Sequence, residues 1–411
     1  MNSGTEFVTS PRTRELLGHR PFLLFLSGRA FSSFAYQIGA VAIGWQVYAL
    51  TGSVLALGLI GLMQFLPSAG LTFFAGHAAD RFDRRRVAQA CQLTEGAAAL
   101  FLAWGSLAGW LNVAEIYAAV MVLGAARSFE NPAVSALLPA VVPAGLLQKG
   151  TAMSSSAFQA ATILGPALGG LIYALSPAVP YAAMAVAWVV SALMARALKV
   201  DRPMAPKEPP TLKALFAGVG FVRRSPEILG IISLDLFAVV LGGATALLPV
   251  YARDILHTGP WGLGVLRGAP AVGALLVSVW MTHSPISRRV GMRMFQAVIL
   301  YGLATIAFGL SRFVPLTLLA LFVMGAADMV SVVIRLSLVQ LRTPDEMRGR
   351  VGAVNFLFIN ASNQLGEFES GVTAALFGTV PAVVLGGVGT VAVALLWMRL
   401  FPALRAVKRL E

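Results

Sequence analysis

The 411-residue chain is 57% hydrophobic and only 12% charged, with a formal net charge of +13. Apolar runs of spanning or near-spanning length recur from end to end, as in Val54 to Phe74, Ala97 to Leu111 and Ala382 to Trp397. A bilayer core takes about 20 such residues per helix, so a soluble enzyme is excluded and an all-α polytopic membrane protein is implied. The basic residues sit in short clusters between those runs, the pattern of orientation signals and not of a nucleic-acid surface.

In chain order, spans are predicted near residues 21–50, 53–76, 88–110, 113–140, 150–174, 179–198, 228–252, 260–282, 292–311, 314–340, 352–378 and 382–402, twelve in all. The first apolar run starts at Pro21 with no small-residue cleavage site behind it, and reads as a retained span. With the N-terminus in the cytoplasm, 25 of the 31 Lys and Arg fall on the cytoplasmic side, whereas the opposite loops receive only Arg253 and Arg312. That asymmetry orients both termini towards the cytoplasm. The single cysteine, Cys91, cannot form an intrachain disulfide, and the four histidines are scattered without ligand spacing, so no metal site is expected.

The longest polar stretch, "KVDRPMAPKEPPTLK" from Lys199 to Lys213, combines proline and lysine as a linker does. Leu215 to Arg224 after it reads as a short amphipathic helix on the membrane surface. The organisation expected is therefore a bundle over 1–198, a cytoplasmic linker with that helix over 199–226, and a second bundle over 227–411. The bundles repeat each other. At an offset of 203, Val47-Tyr48-Ala49 matches Val250-Tyr251-Ala252, and Gly61, Pro67 and Gly70 match Gly264, Pro270 and Gly273. At an offset of 201, "VLGAA" (122–126) matches "VMGAA" (323–327), and Pro143, Gly165 and Gly170 match Pro344, Gly366 and Gly371. Chance supplies Ala and Leu matches between apolar helices, but not collinear Pro and Gly. Duplicated bundles suit alternating access, in which two similar halves rock about a central site.

One stretch between the second and third spans is out of keeping with the composition. "GHAADRFDRRRV" (76–87) packs four arginines and two aspartates into seven positions. Its pattern G-x-x-x-D-R-x-x-R-R, filled by Gly76, Asp80, Arg81, Arg84 and Arg85, resembles the loop signature of the major facilitator superfamily. "RSFENPA" (127–133), "TPDEMRGRV" (343–351) and "QLGEFESGV" (364–372) are similar to the branch of that family containing the bacterial enterobactin exporter. The resemblance covers essentially the whole chain. It implies the major facilitator fold, with twelve helices in two pseudo-symmetric six-helix bundles, in a bacterial inner membrane. It also implies that Asp80 pairs with arginines and a helix terminus across the bundle interface to hold the outward-open state. The second half keeps Arg288 and Arg289 but lacks the glycine and the aspartate, so such a gate is asymmetric.

Ionisable residues at membrane depth are costly and default to functional candidates. They are Arg29, Glu95, Arg127, Glu130, Asp235, Arg267, Asp328, Arg335, Glu367 and Glu369. Proton coupling is assigned to Arg127, Glu130, Asp235, Asp328 and Glu367. Arg127 and Asp328 are repeat equivalents of opposite charge, which suggests complementary polarity towards a shared cavity. Glu130 is i+3 from Arg127 and on its face. Leu123-x-x-x-Arg127 also resembles the family's fourth-span arginine motif, tied there to proton coupling, although Glu130 and Asn131 depart from it. "GPALGG", with Gly165, Pro166, Gly169 and Gly170, resembles a fifth-span element of proton-driven exporters, and its glycines permit close helix packing. In the repeat, Pro166 becomes Glu367, which places a carboxylate at a tight, desolvated helix contact. Glu369 points to another face. Arg29, Tyr36, Gln37, Gln64, Asn355, Asn360 and Asn363 are candidates for the substrate cavity, a mixture suited to an amphipathic, partly aromatic solute.

No G-x-x-x-x-G-K-[ST] loop is present, so ATP is not the direct energy source. The expectation is a secondary active exporter of a siderophore-like or drug-like molecule, driven by the proton gradient without a cofactor. Its partners are the small-molecule substrate and the lipid bilayer, and it works as a monomer. A lysolipid flippase of the same fold is the alternative. An enzyme would need a catalytic dyad or an appended soluble domain, and neither is visible.

Overall fold

Within an apolar run in lipid, backbone N–H and C=O groups find partners only in their own segment, so the runs fold as helices. The structure is a computed structural model that describes residues 11–143, 145–198, 212–284 and 288–409, without the side chains of 11–14, 72–73, 76–77, 79–80, 212–216 and 353. The first half comprises α1 (Pro11–Gly18), α2 (Arg20–Thr51), α3 (Val54–Arg81), α4 (Arg84–Ala108), α5 (Val113–Val141), α6 (Leu147–Tyr173) and α7 (Ala178–Ala197). Then come α8 (Leu212–Arg224), α9 (Pro226–Leu241), α10 (Leu248–Val250), α11 (Gly259–His283), α12 (Val290–Leu310), α13 (Val314–Arg342), α14 (Asp345–Phe377), α15 (Thr379–Leu400) and α16 (Pro402–Ala406). No strand occurs among the described residues.

Among the described residues, eight helical runs are long and apolar enough to cross a bilayer: Val54–Leu71, Leu147–Tyr173, Ala178–Ala197, Pro226–Ile255, Gly259–His283, Val290–Leu310, Val314–Arg342 and Thr379–Leu400. The long helices α2, α4, α5 and α14 fall outside that set because polar residues dilute them. Those residues include Arg29, Tyr36, Gln92, Glu95, Arg127, Glu130, Asn363 and Glu367, most of which meet in the interior.

Two expectations are corrected. The span predicted over 228–252 is not continuous: α9 ends at Leu241, and a 3-10 turn (Ala244–Leu247), α10 and a π-turn (Tyr251–Ile255) complete the run. The break falls at Gly242-Gly243, where a Cβ on Gly243 would lie 2.3 Å from the Gly366 carbonyl oxygen of α14. Two backbones touch there, and only glycine permits it. The amphipathic helix starts at Leu212 and is docked on protein as well as being polar on one face. A Cβ on Gly218 would lie 3.0 Å from the Arg350 carbonyl oxygen, and Val222 is buried in one cluster with Val351 and Val354.

Packing repeats with the sequence. In the first half α3 lies on α5, α4 on α7 and α5, and α2 on α6 and α7. In the second, α11 lies on α13, α12 on α15 and α13, and α9 on α14 and α15. The halves meet through α3 with α14 and through α11 with α6, two contacts that exchange under the same equivalence.

Those contacts are closest at the end of the bundle away from the chain termini, the distal end. A Cβ on Gly58 would lie 2.8 Å from Gly371 Cα, one on Gly61 2.6 Å from the Gln364 carbonyl oxygen, and one on Gly170 2.3 Å from the Pro260 carbonyl oxygen. The buried clusters mix there as well. Val250 packs with Val47, Leu57 and Ile60, and Val41 packs with Leu247, Tyr251 and Phe308. At the opposite end, Leu16, Phe22, Phe25, Leu137 and Leu146 form one cluster and Ile228, Phe295, Leu338 and Leu404 another, each from its own half. The halves are clamped at the distal end and have separate cores at the terminal end.

Candidate functional site

Each half carries a buried polar cluster. In the first, the i, i+3 spacing brings Arg127 and Glu130 together on α5, with Arg127 Nη1 3.2 Å from Glu130 Oε2. Glu130 is buried, and its Oε1 accepts from Ser32 Oγ of α2 at 2.8 Å and from Gln92 Nε2 of α4 at 2.9 Å. Both oxygens accept, the pattern of a carboxylate anion. The Arg127 guanidinium lies 4.1 Å from the centre of the Tyr36 ring, and Tyr36 donates to Gln64 Oε1 at 3.4 Å. Four helices thus converge on one cluster, in which Arg127 is held by a carboxylate on one side and an aromatic face on the other.

In the second half Arg335 of α13 donates to Asp235 of α9, and its Nη2 is 3.7 Å from Asp328 Oδ1, two turns back on the same face of α13. Arg335 and Asp235 are buried, while the Asp328 side chain is 49% exposed towards a small cleft lined by Ala238, Tyr301 and Ser331. Asp328 therefore already has a cation in its own half, and Arg127 an anion in its own. The structure does not bring Arg127 and Asp328 together.

Glu367 occupies the seam between the halves. Its Cβ is 2.7 Å, and its Oε2 3.2 Å, from where a Cβ on Gly61 would sit. The repeat-related contact places Gly264 of α11 against Pro166, with 2.4 Å to its carbonyl oxygen. Gly165 and Gly169 pack on α2 at Gln37 and Ile38, and Gly170 packs on α11. Arg267 crosses the seam to donate to the Ala40 carbonyl at 3.3 Å, and Gln159 to the Ala271 carbonyl at 3.1 Å.

The remaining candidates are less assembled. The Arg29 guanidinium lies 5.9 Å from the Phe158 ring centre, and Gln37 donates to Thr162 at 3.2 Å. Asn360 and Asn363 donate to carbonyls of their own helix, those of Phe356 and Ile359, and Asn355 is half-buried on the same helix. Glu369 accepts from Thr373 one turn along its own helix. It faces away from the Glu367 seam.

The charged stretch is less of a loop than its composition suggests. Gly76, Asp80 and Arg81 belong to the last turns of α3, and Arg84 and Arg85 open α4, so only Phe82 and Asp83 separate the helices. The surroundings of Gly76 and of the Asp80 side chain lie outside the described residues. Arg81 is exposed. Asp83 caps α4 through the Arg85 N–H at 3.0 Å and accepts from Arg85 Nε and Nη2 at 3.1 and 2.7 Å. Those side-chain bonds from Arg85 hold the Asp83 carboxyl below its usual range. Arg85 also donates to the Leu198 carbonyl at 2.8 Å and Arg84 to that of Ala136 at 3.5 Å, both within the first half.

Several residues in these clusters received no specific role from sequence, Glu95 and Arg335 standing only among the ionisable residues at membrane depth. Ser32 and Gln92 give no signal, being ordinary polar residues in an apolar helix. Arg335 does give one: it stands seven residues after Asp328, on the same helical face. Glu95 is fully buried one turn beyond Gln92. At the distal end, Tyr48 donates to Asp254, while Arg253 lies over the Tyr48 ring and donates to the Tyr48 carbonyl at 3.2 Å.

A sequence model described as Major Facilitator Superfamily matches residues 25–367. The Multidrug efflux pump Tap of Mycobacterium tuberculosis is 29% identical over 408 residues, covering 94% of both chains. The Enterobactin exporter EntS of Citrobacter koseri is 26% identical over 394 residues, covering 95% of this chain and 94% of that one. Among solved structures, a bacterial homologue of the human lysosomal transporter Spinster superposes with a TM-score of 0.73 at 11% identity, over 97% of both chains. A bacterial homologue of the iron transporter ferroportin superposes with a TM-score of 0.71 at 18% identity, over 94% of this chain and 99% of that one. This chain belongs to the major facilitator superfamily, and it is a multi-pass membrane transporter, not an enzyme.

Proposed function

We propose that the protein is a proton-driven exporter of a small amphipathic molecule, siderophore-like or drug-like, working by alternating access as a monomer. The observation that carries this reading is the placement of ionisable clusters inside the helical bundles of both halves, flanking a seam clamped at the distal end. Arg127 with Glu130, Asp235 with Arg335 and Asp328, and Glu367 at the seam supply charge that moving bundles can re-pair, which a passive channel does not need. The directional part of the reading leans on relatives whose names are those of an efflux pump and an exporter.

Twelve spans, divided six and six by the 199–226 linker, put both termini on the side that carries most of the basic residues, the cytoplasm of a bacterial cell. The terminal end then faces the cytoplasm, and the conformation described is inward-facing. A gate built from Asp80, Arg81, Arg84 and Arg85 would close this end in the opposite state; Arg85 here bonds Asp83 and the Leu198 carbonyl. Tyr36, Gln37, Gln64, Arg29 and the asparagines of α14 are assigned to the cavity.

Inverted membrane vesicles containing the protein test the reading against a panel of catecholate siderophores, cationic dyes and lysolipids, with and without a pH gradient. Accumulation of a siderophore or dye that collapses with the gradient is expected. Gradient-independent movement of lysolipid alone identifies a flippase instead.

A further inference from the structure

Glu95 stands apart from every other acidic residue in the interior. It is 0% exposed, and neither carboxyl oxygen has a hydrogen-bond partner. Its neighbour cluster is built the other way. Glu130 takes a hydroxyl, an amide and a guanidinium, so its oxygens are supplied with donors. An ionised carboxylate buried with no donor costs several kcal/mol, and such a group instead keeps its proton.

The cation that acts on Glu95 is Arg127, and it is already engaged. On α5 the charges that act on it are Glu130 and Arg127, an anion and a cation already paired to each other. On α2 the Tyr36 phenol feels Glu95 and Arg29 acts on Arg127 and Glu130, and on its own helix the Cys91 thiol lies one turn back. The face of α7 packed at this level carries no charge, with Gly96 against Ala185, Trp188 and Val189, and the Trp188 Nε1 there is likewise without a partner. Arg127 is thus shared ground: a shift of its guanidinium towards Glu95 would stabilise Glu95 as an anion, while Glu130 retains Ser32, Gln92 and the charge of Arg29.

We propose that Glu95 is the proton-binding residue of the first half. It is a neutral carboxylic acid in the conformation described, and it releases its proton when Arg127 is drawn away from Glu130 during the transport cycle. The O–H bond of Glu95 breaks and the proton leaves through the cavity on the open, terminal side; Arg127 balances the carboxylate left behind, while Glu130 keeps Ser32, Gln92 and the charge of Arg29. Reprotonation follows once the distal end has opened. This inference rests on the proton-driven reading above, but not on the identity of the substrate.

Two measurements on the full-length protein test it. Infrared difference spectra of the purified protein are expected to show a protonated-carboxyl band at neutral pH that Glu95→Gln removes and Glu130→Gln leaves. A band that survives in Glu95→Gln, or is absent from the wild type, overturns the assignment whether or not the variant inserts well. In inverted vesicles with ethidium as the probe, Glu95→Gln is expected to abolish accumulation driven by the pH gradient, and Glu95→Asp to recover part of it. Wild-type accumulation matched by Glu95→Gln shows that Glu95 is a structural acid and leaves the exporter reading standing. Ethidium accumulation that ignores the gradient in the wild type overturns proton coupling itself, and the role of Glu95 with it.

Discussion

The two halves share a scaffold and differ in chemistry. The seams α3–α14 and α6–α11 are built from equivalent glycines, Gly61 and Gly264, pressed on equivalent positions of the opposing helix, yet one position is Glu367 and the other Pro166. The interior clusters diverge in the same way. In the first half one arginine serves one carboxylate, Glu130, which is further satisfied by Ser32 and Gln92. In the second, one arginine serves two aspartates, one of them half-exposed to a cleft. Duplication fixes the backbone contacts that let halves rock, while substitution at a few positions assigns them unequal work.

The largest break in this comparison is expected at Arg335, because two acids depend on it. Arg335→Gln leaves Asp235 buried without its cation and is expected to destabilise the second half by about 3–5 kcal/mol, read as a lowered melting temperature of the purified protein. Asp328→Asn, which removes the half-exposed partner and keeps the buried pair, is expected to cost far less. Equal losses from the two variants would mean that Asp328, not Asp235, is the anchor.

Exchanging charge between the halves comes next. If Arg127 and Asp328 met across the cavity, Arg127→Asp combined with Asp328→Arg would restore what each change loses. Each has its own partner, Glu130 in one case and Arg335 in the other, so the double variant is expected to transport no better than the worse single one. Coupling in the cycle is expected within about 0.5 kcal/mol of zero. A clear rescue in vesicle transport would show that the clusters meet at another stage of the cycle.

The seams offer a smaller and more even test. A methyl at Gly61 or Gly264 would lie 2.6 or 2.4 Å from a backbone oxygen of the other half. Overpacking of this kind costs about 1–3 kcal/mol, and it is felt only while the distal end is closed. Both Gly61→Ala and Gly264→Ala are therefore expected to shift the population towards distal opening, read from the distance between spin labels on the distal turns. A shift in one variant alone would show that the two seams do not open together.

Much of this was legible in the sequence, and for stated reasons. Helices follow from apolar runs, and the repeat from collinear Pro and Gly, because those residues mark backbone contacts that both halves must keep. The pairing of Arg127 with Glu130 follows from their spacing on one helix. What the sequence could not show is whatever depends on contact between helices. It could not show that Glu130 takes Ser32 and Gln92 or that Arg335 joins α13 to α9. Nor could it show that Glu95 is left without a donor while Glu130 has three. The break at Gly242-Gly243 was hidden for the same reason. An apolar run with two glycines reads as a continuous helix until Gly366 is seen against it.

The smallest expected effect lies in the charged turn, where the halves differ most plainly. Asp83 caps α4 and holds Arg85, whereas the corresponding turn before α12 offers Arg289 in a left-handed conformation, with φ at 52° and no side-chain cap. Asp83→Asn keeps a capping oxygen and removes the charge, so it isolates the ion pair from the cap. Both side chains are about one-third exposed, at 33% and 35%, and an exposed pair of this kind contributes about 0–1 kcal/mol and is weakened by salt. Its pH dependence has a definite sign. The folded carboxyl titrates below its unfolded value because Arg85 bonds the anion. The stabilisation is therefore complete above the unfolded value of about 3.9 and disappears as the pH falls through the lower folded one. Melting temperatures of wild type and Asp83→Asn are expected to differ slightly at neutral pH and low salt, and to converge in acid or in high salt. A difference that persists in acid would mean that Asp83 acts through its cap and not its charge.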